Sequence, residues 1–69
     1  MLFFSMQGEV KFFNHVKGFG FIKSNEDEKE YFVHISGVSE GVKISDEDKV
    51  TFELEDDAKG KKCVNVKLA

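Results

Sequence analysis

Apolar and polar residues alternate along five short segments of the chain, a pattern typical of strands with one buried face. The predicted strands are residues 6–14, 17–24, 30–35, 49–55 and 61–68. Nowhere does an apolar period of 3.6 residues persist for two turns, so no substantial helix is predicted. The connections 14–18, 25–29 and 56–60 are short enough for hairpin turns, whereas residues 36–48 form a longer crossing.

Five short strands without a helix favour a small, closed or partly closed all-β barrel, because closure removes the exposed edges of a five-stranded sheet. The alternation within each strand selects the side chains that face the interior. The predicted core consists of Val10, Ile22, Val33, Val38, Val50, Leu54, Val64 and Val66.

The length of 69 residues predicts one domain, residues 1–69, which buries roughly 60% of the surface of its unfolded form. Residues 1–5 are mainly apolar and are interpreted as an N-terminal extension of the first strand, with Met6 as an alternative translation start. The apolar run is too short for a signal peptide or a membrane span. Its apolar side chains would allow a weak dimer, but we expect a monomer.

A single cysteine, Cys63, excludes an internal disulfide and any site built from several cysteines. A reduced, cytoplasmic setting is therefore expected. Cys63 has no histidine within a few residues, as a nucleophile would need, and the acidic run 26–28 lacks the glycine and spacing of a calcium loop. His15 is interpreted as a solvated turn residue. We expect no catalytic residue, metal, cofactor or small-molecule substrate.

The net charge of −3 is unevenly distributed along the chain. Residues 1–23 carry three lysines and one acid (+2), residues 24–58 three lysines and twelve acids (−9), and residues 59–69 four lysines and no acid (+4). If the two basic ends lie side by side, one face of the barrel would attract phosphates. The alternative is that these charges only solubilise the surface and pair with one another.

The segment 17–22, Lys-Gly-Phe-Gly-Phe-Ile, carries the most information about function. On a strand, Phe19 and Phe21 project from one face, and Gly18 and Gly20 lie on the other. Glycines behind two large rings indicate that the rings point outward, with the backbone packed closely behind them. If the faces are reversed, the rings belong to the core instead.

A second segment, residues 31–35, adds to the same face, because Phe32 and His34 point outward if Val33 points inward. Exposed phenyl rings imply a partner, and each base of an unpaired nucleic-acid strand offers a stackable face worth about 1–3 kcal/mol. The chain has no arginine to read guanine edges in a duplex, while lysines suffice for phosphate. The alternative is a protein-interaction or self-associating barrel that uses the same Phe patch.

From about residue 8 to its C terminus, the chain resembles bacterial cold-shock proteins, which consist of a single cold-shock domain. The segment 17–22 is similar to the first ribonucleoprotein motif of that family, and residues 31–34, Tyr-Phe-Val-His, are similar to the second. The sequence Val-Lys-Phe-Phe-Asn at 10–14 precedes them, as in the family. The RNA-recognition fold has its two motifs in the opposite order and needs two helices.

The resemblance implies a five-stranded antiparallel Greek-key barrel of the oligonucleotide-binding type. It also implies binding of single-stranded RNA and DNA, and an RNA chaperone activity that destabilises RNA secondary structure. The implied contacts are stacking by Phe12, Phe13, Phe19, Phe21, Phe32 and His34, phosphate contacts by Lys11, Lys17 and Lys43, and a polar contact by Asn14. Alternation alone would place Phe12 in the core with Val10, and here we follow the resemblance.

Three positions depart from the family pattern. The family usually has Trp where this chain has Phe12, an aromatic residue in place of Ile35, and often Phe in place of Val42. Smaller rings at these positions should weaken stacking. Lys61 and Lys62, expected in a loop, would offset the loss by attracting phosphate. The hypothesis is a weaker and more salt-sensitive binder than its relatives.

Overall fold

The computed structural model describes residues 5–58 and 60–69, and the main chain folds into a closed barrel of five strands. The strands are β1 (Met6–Asn14), β2 (Phe19–Ser24), β3 (Glu30–His34), β4 (Lys49–Asp57) and β5 (Gly60–Leu68), and a 3-10 helix, Ile35–Gly37, follows β3. Neighbours around the barrel are β1, β2, β3, β5 and β4, in that order. The predicted all-β barrel is confirmed. The N-terminal extension that the sequence predicts lies, except for Ser5, outside the described residues.

Four of the five strand contacts are antiparallel, as predicted. The contact that closes the barrel, between β3 and β5, is parallel and pairs Phe32 with Lys62 and Val33 with Cys63. A parallel contact needs a long crossover, and the crossing between β3 and β4 together with β4 itself supplies it. Across the described ranges, no helix is long and apolar enough to cross a membrane.

An extra residue in β1 changes which side chains face the interior. Val10 pairs with Ile22 and Phe12 pairs with Phe21, so Lys11 has no partner of its own on β2. Such a β-bulge reverses the alternation beyond it. Phe12 therefore faces outward, and Phe13 is 6% exposed and part of the core. The prediction that the Phe13 ring lies on the surface is wrong for this reason.

A second bulge, in β5, has the same effect. Thr51 pairs with Lys67 and Glu53 with Val64, so β5 contains one more residue than β4 over this stretch. Asn65 takes the left-handed conformation there, with φ of 55°, which asparagine adopts more readily than most residues. The extra residue turns Cys63 into the core instead of Val64, which is half-buried. The prediction that Val64 faces the interior is therefore wrong, because this bulge reverses the alternation.

The core otherwise follows the prediction at most positions. Five predicted core residues are buried, and the half-buried Val38 and Leu54 pack against them. The buried apolar side chains are Val10, Phe13, Ile22, Val33, Ile44, Val50, Phe52, Cys63 and Val66. Ile44 comes from the crossing, where no alternation marked it. Phe52 shares the predicted inward face of Val50 and Leu54 and was omitted from the predicted core.

The crossing is hydrogen-bonded to β1 at the point where the pairing between β1 and β4 ends. The Val10 N–H donates to the carbonyl of Asp48 over 2.8 Å, and the Glu47 N–H donates to the carbonyl of Val10 over 2.7 Å. Farther along β1, the Phe13 N–H donates to a carboxylate oxygen of Asp46 over 2.9 Å. These bonds satisfy backbone groups of β1 beyond the end of its pairing with β4, and they hold the bent end of β1 in place.

Candidate functional site

Four phenyl rings from β1, β2 and β3 form one cluster on the outside of the barrel. The cluster consists of Phe12, Phe19, Phe21 and Phe32, and we call it the aromatic platform. The Phe12 ring centroid lies 5.8 Å from that of Phe19 and 6.0 Å from that of Phe21. The Phe32 centroid lies 6.1 Å from that of Phe19 and 6.0 Å from that of Phe21. Each ring thus contacts two others in a closed circuit.

The platform rings remain in contact with water although they pack against one another. Phe12 and Phe32 are each 38% exposed, and Phe19 and Phe21 are half-buried. The register explains the shared face, because Phe12, Phe21 and Phe32 are direct cross-strand neighbours on three adjacent strands. The predicted outward orientation of these rings is confirmed, and the interpretation of Phe19, Phe21 and Phe32 as core residues is excluded.

Gly20 lies behind the platform, between Phe19 and Phe21, and its backbone is in close contact with β1. A Cβ atom at this position would lie 2.2 Å from the carbonyl oxygen of Phe12 and 2.8 Å from the Cα atom of Phe13. No other residue type leaves room for this approach. The glycine thus allows the bulged end of β1 to pack against β2, and this packing places the Phe12 ring beside the rings of β2.

His34 lies beside the platform as the cross-strand neighbour of Phe19, and its ring is exposed. Its Nδ1 atom accepts a hydrogen bond of 3.1 Å from the Ser36 N–H and lies 2.9 Å from the Ser36 hydroxyl. A backbone N–H can only donate, so Nδ1 carries no proton in this arrangement and the ring proton is on Nε2. The imidazole therefore caps the 3-10 helix and presents Nε2–H as a donor.

Asn14 holds the turn between β1 and β2. Its side-chain oxygen accepts hydrogen bonds of 2.9 Å from the N–H groups of Val16 and Lys17. Gly18 completes the turn with φ of 76°, and its N–H donates to the carbonyl of Asn14. This conformation delays β2 until Phe19, two residues later than predicted. The structure gives Asn14 a role in the turn, and the predicted polar contact with a ligand stays a prediction.

The lysines of the predicted site occupy different surroundings. Lys11 is exposed at the β1 bulge next to Phe12, and Lys17 is exposed in the turn held by Asn14. Lys43 is exposed in the crossing, beside the buried Ile44. Lys61 lies in β5 and not in a loop, and its Nζ is 2.9 Å from a carboxylate oxygen of Asp56.

Lys62 was predicted only to attract phosphate from a loop, together with Lys61, and the register places it next to the platform. It is the direct partner of Phe32 across the parallel contact of β3 with β5. Sequence reasoning missed this neighbour because it expected residues 61 and 62 in a loop. The signal that would have found it is the pairing of two segments far apart in the sequence, which alternation does not give.

Of the three positions that depart from the family pattern, Phe12 belongs to the platform, and Ile35 and Val42 lie at or beyond its edge. Ile35 is 50% exposed and covers Gly18, where a Cβ atom would be 3.1 Å from its Cγ2. Val42 is half-buried and packs against the core. Val16, in the first turn, is 95% exposed. The aromatic surface therefore ends at Phe32 and His34.

The remaining candidate groups do not assemble into a reactive site. Cys63 is 1% exposed, and burial raises the pKa of its thiol to about 12, so the thiol is neutral near pH 7. This agrees with the interpretation of an inert cysteine. His15 is an exposed turn residue whose ring centroid lies 5.1 Å from that of Phe13. Within residues 5–58 and 60–69, no three histidine, cysteine or acidic side chains are arranged to hold a metal ion.

The fold and the platform define a small all-β barrel with an exposed aromatic face. The family model described as the 'Cold-shock' DNA-binding domain matches residues 6–69. The chain belongs to this cold-shock domain family. Membership in a non-enzymatic family confirms the prediction that the chain is not an enzyme.

Similar proteins come from several bacteria. The chain is 48% identical to the cold shock protein CspC of Bacillus subtilis strain 168 over 65 residues, which covers 91% of this chain and 97% of that protein. It is 43% identical to the cold shock-like protein CspC of Escherichia coli strain K12 over 63 residues, 88% of this chain and 91% of that protein. These identities extend over nearly the whole of each relative.

A solved structure confirms the fold independently of sequence. The structure titled drosophila Unr CSD456 superposes with a TM-score of 0.78 over 96% of this chain at 22% identity. The match spans 27% of that longer chain. At this identity the likeness concerns the barrel and not the ligands.

Proposed function

We propose that the protein binds single-stranded nucleic acid by stacking unpaired bases on the aromatic platform. The observation that carries the proposal is the closed circuit of four outward phenyl rings, with centroids 5.8–6.1 Å apart along its sides. A fully exposed phenyl ring forgoes roughly 1.5–3 kcal/mol relative to full burial, and each partly exposed platform ring forgoes a fraction of that. A base that stacks on such a ring contributes about 1–3 kcal/mol to the free energy of binding. The cold-shock domain assignment supports the same ligand class.

The surroundings of the platform favour an unpaired strand over a duplex. Duplex bases are already stacked on one another and expose only their edges. Lys11 and Lys17 lie beside the platform on β1 and in the turn that follows it, where they attract phosphates. The His34 Nε2–H adds a donor for a base oxygen next to the stacking surface. For the attraction of phosphates, this local arrangement of lysines matters more than the net charge of −3.

We extend the proposal to RNA chaperone activity in the cytoplasm. A surface that binds unpaired bases favours open over paired RNA, because the ligand free energy is gained only in the open state. Stacking has little sequence demand, so both RNA and DNA strands are ligands. The protein acts as a monomer with one platform and needs no cofactor.

The test is fluorescence anisotropy of labelled heptathymidine and heptauridine titrated with the protein. The chain has no Trp, so the label must be on the oligonucleotide. Phe32→Ala should weaken binding about 5- to 150-fold, the equivalent of one lost stacked base. Leu68→Ala is the matched control, since it removes a 53% exposed apolar side chain on β5 and should leave the affinity unchanged.

Three outcomes would count against the proposal. Equal losses in the two variants would show that binding does not depend on the platform. No response of the native protein to either oligonucleotide, with dimerisation that depends on protein concentration, would favour an interaction module instead. A hairpin RNA labelled with a fluorophore and a quencher tests the chaperone activity. If the hairpin stays closed at protein concentrations that saturate a single strand, the proposed chaperone activity is wrong, whereas the proposed binding stands.

A further inference from the structure

We infer that Asp46, an acidic residue of the crossing between β3 and β4, is a positioning residue for nucleic-acid binding, because its carboxylate fixes the bulged end of β1 that carries Phe12. The inference rests on the proposed function and concerns a residue outside the aromatic platform. It is the opposite of what charge alone predicts, since the removal of an acidic side chain should favour a polyanionic ligand.

The end of β1 that carries Phe12 has a neighbouring strand on one side only. The pairing of β1 with β4 covers residues 6–9, and beyond Glu9 the strand continues its pairing with β2. The other edge of β1 therefore depends on the crossing for its hydrogen bonds. The β-bulge at Lys11 bends the strand in the same stretch. The direction of the Phe12 side chain is thus set where the regular sheet gives least support.

The crossing is attached to β1 on both sides of Phe12. Before it, Val10 is joined to the crossing by two backbone hydrogen bonds of 2.8 and 2.7 Å. After it, the Phe13 N–H donates to the Oδ1 atom of Asp46 over 2.9 Å. A side chain makes only the second of these attachments, so a substitution can remove it and leave the first in place.

The turn that carries Asp46 is itself held in shape by hydrogen bonds. The Ser45 N–H donates to a carboxylate oxygen of Asp48 over 2.9 Å, and the Asp48 N–H donates to the Ser45 carbonyl over 3.1 Å. Glu47 completes the turn in the left-handed conformation, with φ of 71°. Ile44, which precedes the turn, is buried in the core. The Asp46 carboxylate is therefore presented to β1 from a well-defined backbone.

The hydrogen bond to Asp46 acts directly on the backbone of Phe12. The Phe13 N–H belongs to the peptide group that joins Phe12 to Phe13, so the bond fixes the plane that follows the Phe12 Cα atom. An ionised acceptor makes this bond stronger than a neutral one would. The Phe12 ring centroid lies 5.8 Å from that of Phe19 and 6.0 Å from that of Phe21. Loss of the bond should therefore loosen the platform at Phe12.

The test compares the heptathymidine affinities of Asp46→Ala, Asp46→Asn and Glu47→Gln by fluorescence anisotropy. Each substitution removes one negative charge from the same turn, and the asparagine side chain still offers an oxygen to the Phe13 N–H. Asp46→Ala should weaken binding about 5- to 10-fold, the lower part of the range for one lost stacked base. Asp46→Asn and Glu47→Gln should bind as tightly as the native protein or more tightly, because they only reduce the repulsion of phosphates.

Two further measurements separate positioning from a general loss of stability. In a Phe12→Ala protein, Asp46→Ala should cause no additional loss of affinity, because the ring that it positions is already gone. In the single variant Asp46→Ala, nuclear Overhauser contacts of the Phe12 ring with Phe19 and Phe21 should weaken, while those between Phe19 and Phe32 persist. All affinities are compared at a temperature at which circular dichroism shows the variants to be folded.

The inference is overturned if Asp46→Ala binds as tightly as the native protein, if Asp46→Asn loses as much affinity as Asp46→Ala, or if the losses from Asp46→Ala and Phe12→Ala add. An Asp46→Ala protein that is unfolded at every temperature would also overturn it, since the carboxylate would then serve global stability. In each of these cases the native protein still binds, and the proposed function stands. A native protein that does not bind heptathymidine at all would instead overturn the proposed function.

Discussion

Phe12 and Phe13 are adjacent and chemically identical, yet the barrel uses them in opposite ways. Phe12 is 38% exposed and contacts two platform rings, whereas Phe13 is 6% exposed and belongs to the core. In a regular strand, Phe12 would join Val10 inside and Phe13 would face water. The single extra residue at Lys11 exchanges their positions. The role of a phenylalanine here is thus set by strand register and not by residue type.

The same contrast extends over the whole sheet of β1, β2 and β3. Its inner face carries small or aliphatic side chains such as Gly20, Ile22 and Val33, all of which are buried. Phe13 and Tyr31 also lie on the inner face, whereas the other four rings of these strands, Phe12, Phe19, Phe21 and Phe32, lie on the outer face. The barrel therefore leaves a cluster of large apolar side chains in contact with water, which is typical of a binding surface.

The largest expected effect comes from truncating the buried ring. Phe13→Ala should lower the free energy of unfolding by about 3–5 kcal/mol, because it removes a core side chain and leaves a cavity. Phe12→Ala should cost less than about 2 kcal/mol, since that ring already contacts water. Urea denaturation of both variants checks the difference. Equal losses would mean that the bulge does not separate the two rings as described.

A smaller effect is expected from adding a methyl group on the inner face. Gly20→Ala forces the new Cβ against the Phe12 carbonyl and should destabilise the barrel by about 1–3 kcal/mol. Gly41→Ala is the control, because a Cβ there meets nothing within 4 Å and only the φ of 81° opposes it. That conformation alone costs roughly 1–2 kcal/mol. Gly20→Ala should also weaken oligothymidine binding, which Gly41→Ala should not. A Gly20→Ala protein with native stability would contradict the close approach of β1.

The smallest effect concerns Tyr31, a half-buried ring on the inner face whose hydroxyl reaches the surface. The hydroxyl donates to the Asp27 carboxylate over 2.5 Å. This bond, more than any other contact, holds the pKa of Asp27 below its ordinary value of 3.8 and raises the pKa of Tyr31 above its ordinary value of 10.0. The lowered Asp27 pKa gives stability that is present above pH 3.8 and is lost as the pH falls through the folded value. The raised Tyr31 pKa gives stability that is present below pH 10.0 and is lost as the pH rises through the folded value.

Tyr31→Phe removes the bond and tests these signs. An NMR titration should show the pKa of Asp27 rising toward 3.8, and any loss of stability should be greatest between the ordinary pKa values of the two groups. Affinity for oligothymidine should not change, because Tyr31 lies on the face opposite the platform. An unchanged Asp27 pKa in the variant would show that another group lowers it.

The sequence was sufficient for the features that depend on local alternation. The strands, the closed barrel and the outward direction of Phe19, Phe21 and Phe32 all follow from period-two patterns and from the glycines beside the rings. The surface position of Phe12 followed only from the family resemblance, since alternation favoured the opposite face. Both the resemblance and simple alternation placed Phe13 on the surface, and the bulge makes that position wrong.

Features that depend on bulges or on distant pairing could not be predicted. A bulge is one residue long and leaves the composition of the strand unchanged, so the faces of Phe13 and Cys63 were not visible beforehand. Asn65 was the one sign of the bulge in β5, since asparagine tolerates a positive φ. The neighbourhood of Lys62 depends on a parallel contact between residues 30 positions apart, Phe32 and Lys62. Ile44 became buried because the crossing is hydrogen-bonded to β1.

The parallel contact between β3 and β5 has a consequence for how the barrel opens. These strands align at two residue pairs, whereas every other pair of adjacent strands aligns over four to seven. Local opening costs least where the fewest backbone hydrogen bonds must break, so amide hydrogens along this contact should exchange with solvent sooner than those between β1 and β2. Phe32 and Lys62 lie on its two sides. A ligand that contacts both residues would stabilise the β3–β5 contact. Amide exchange along this contact would then be slower in the presence of the ligand than in its absence.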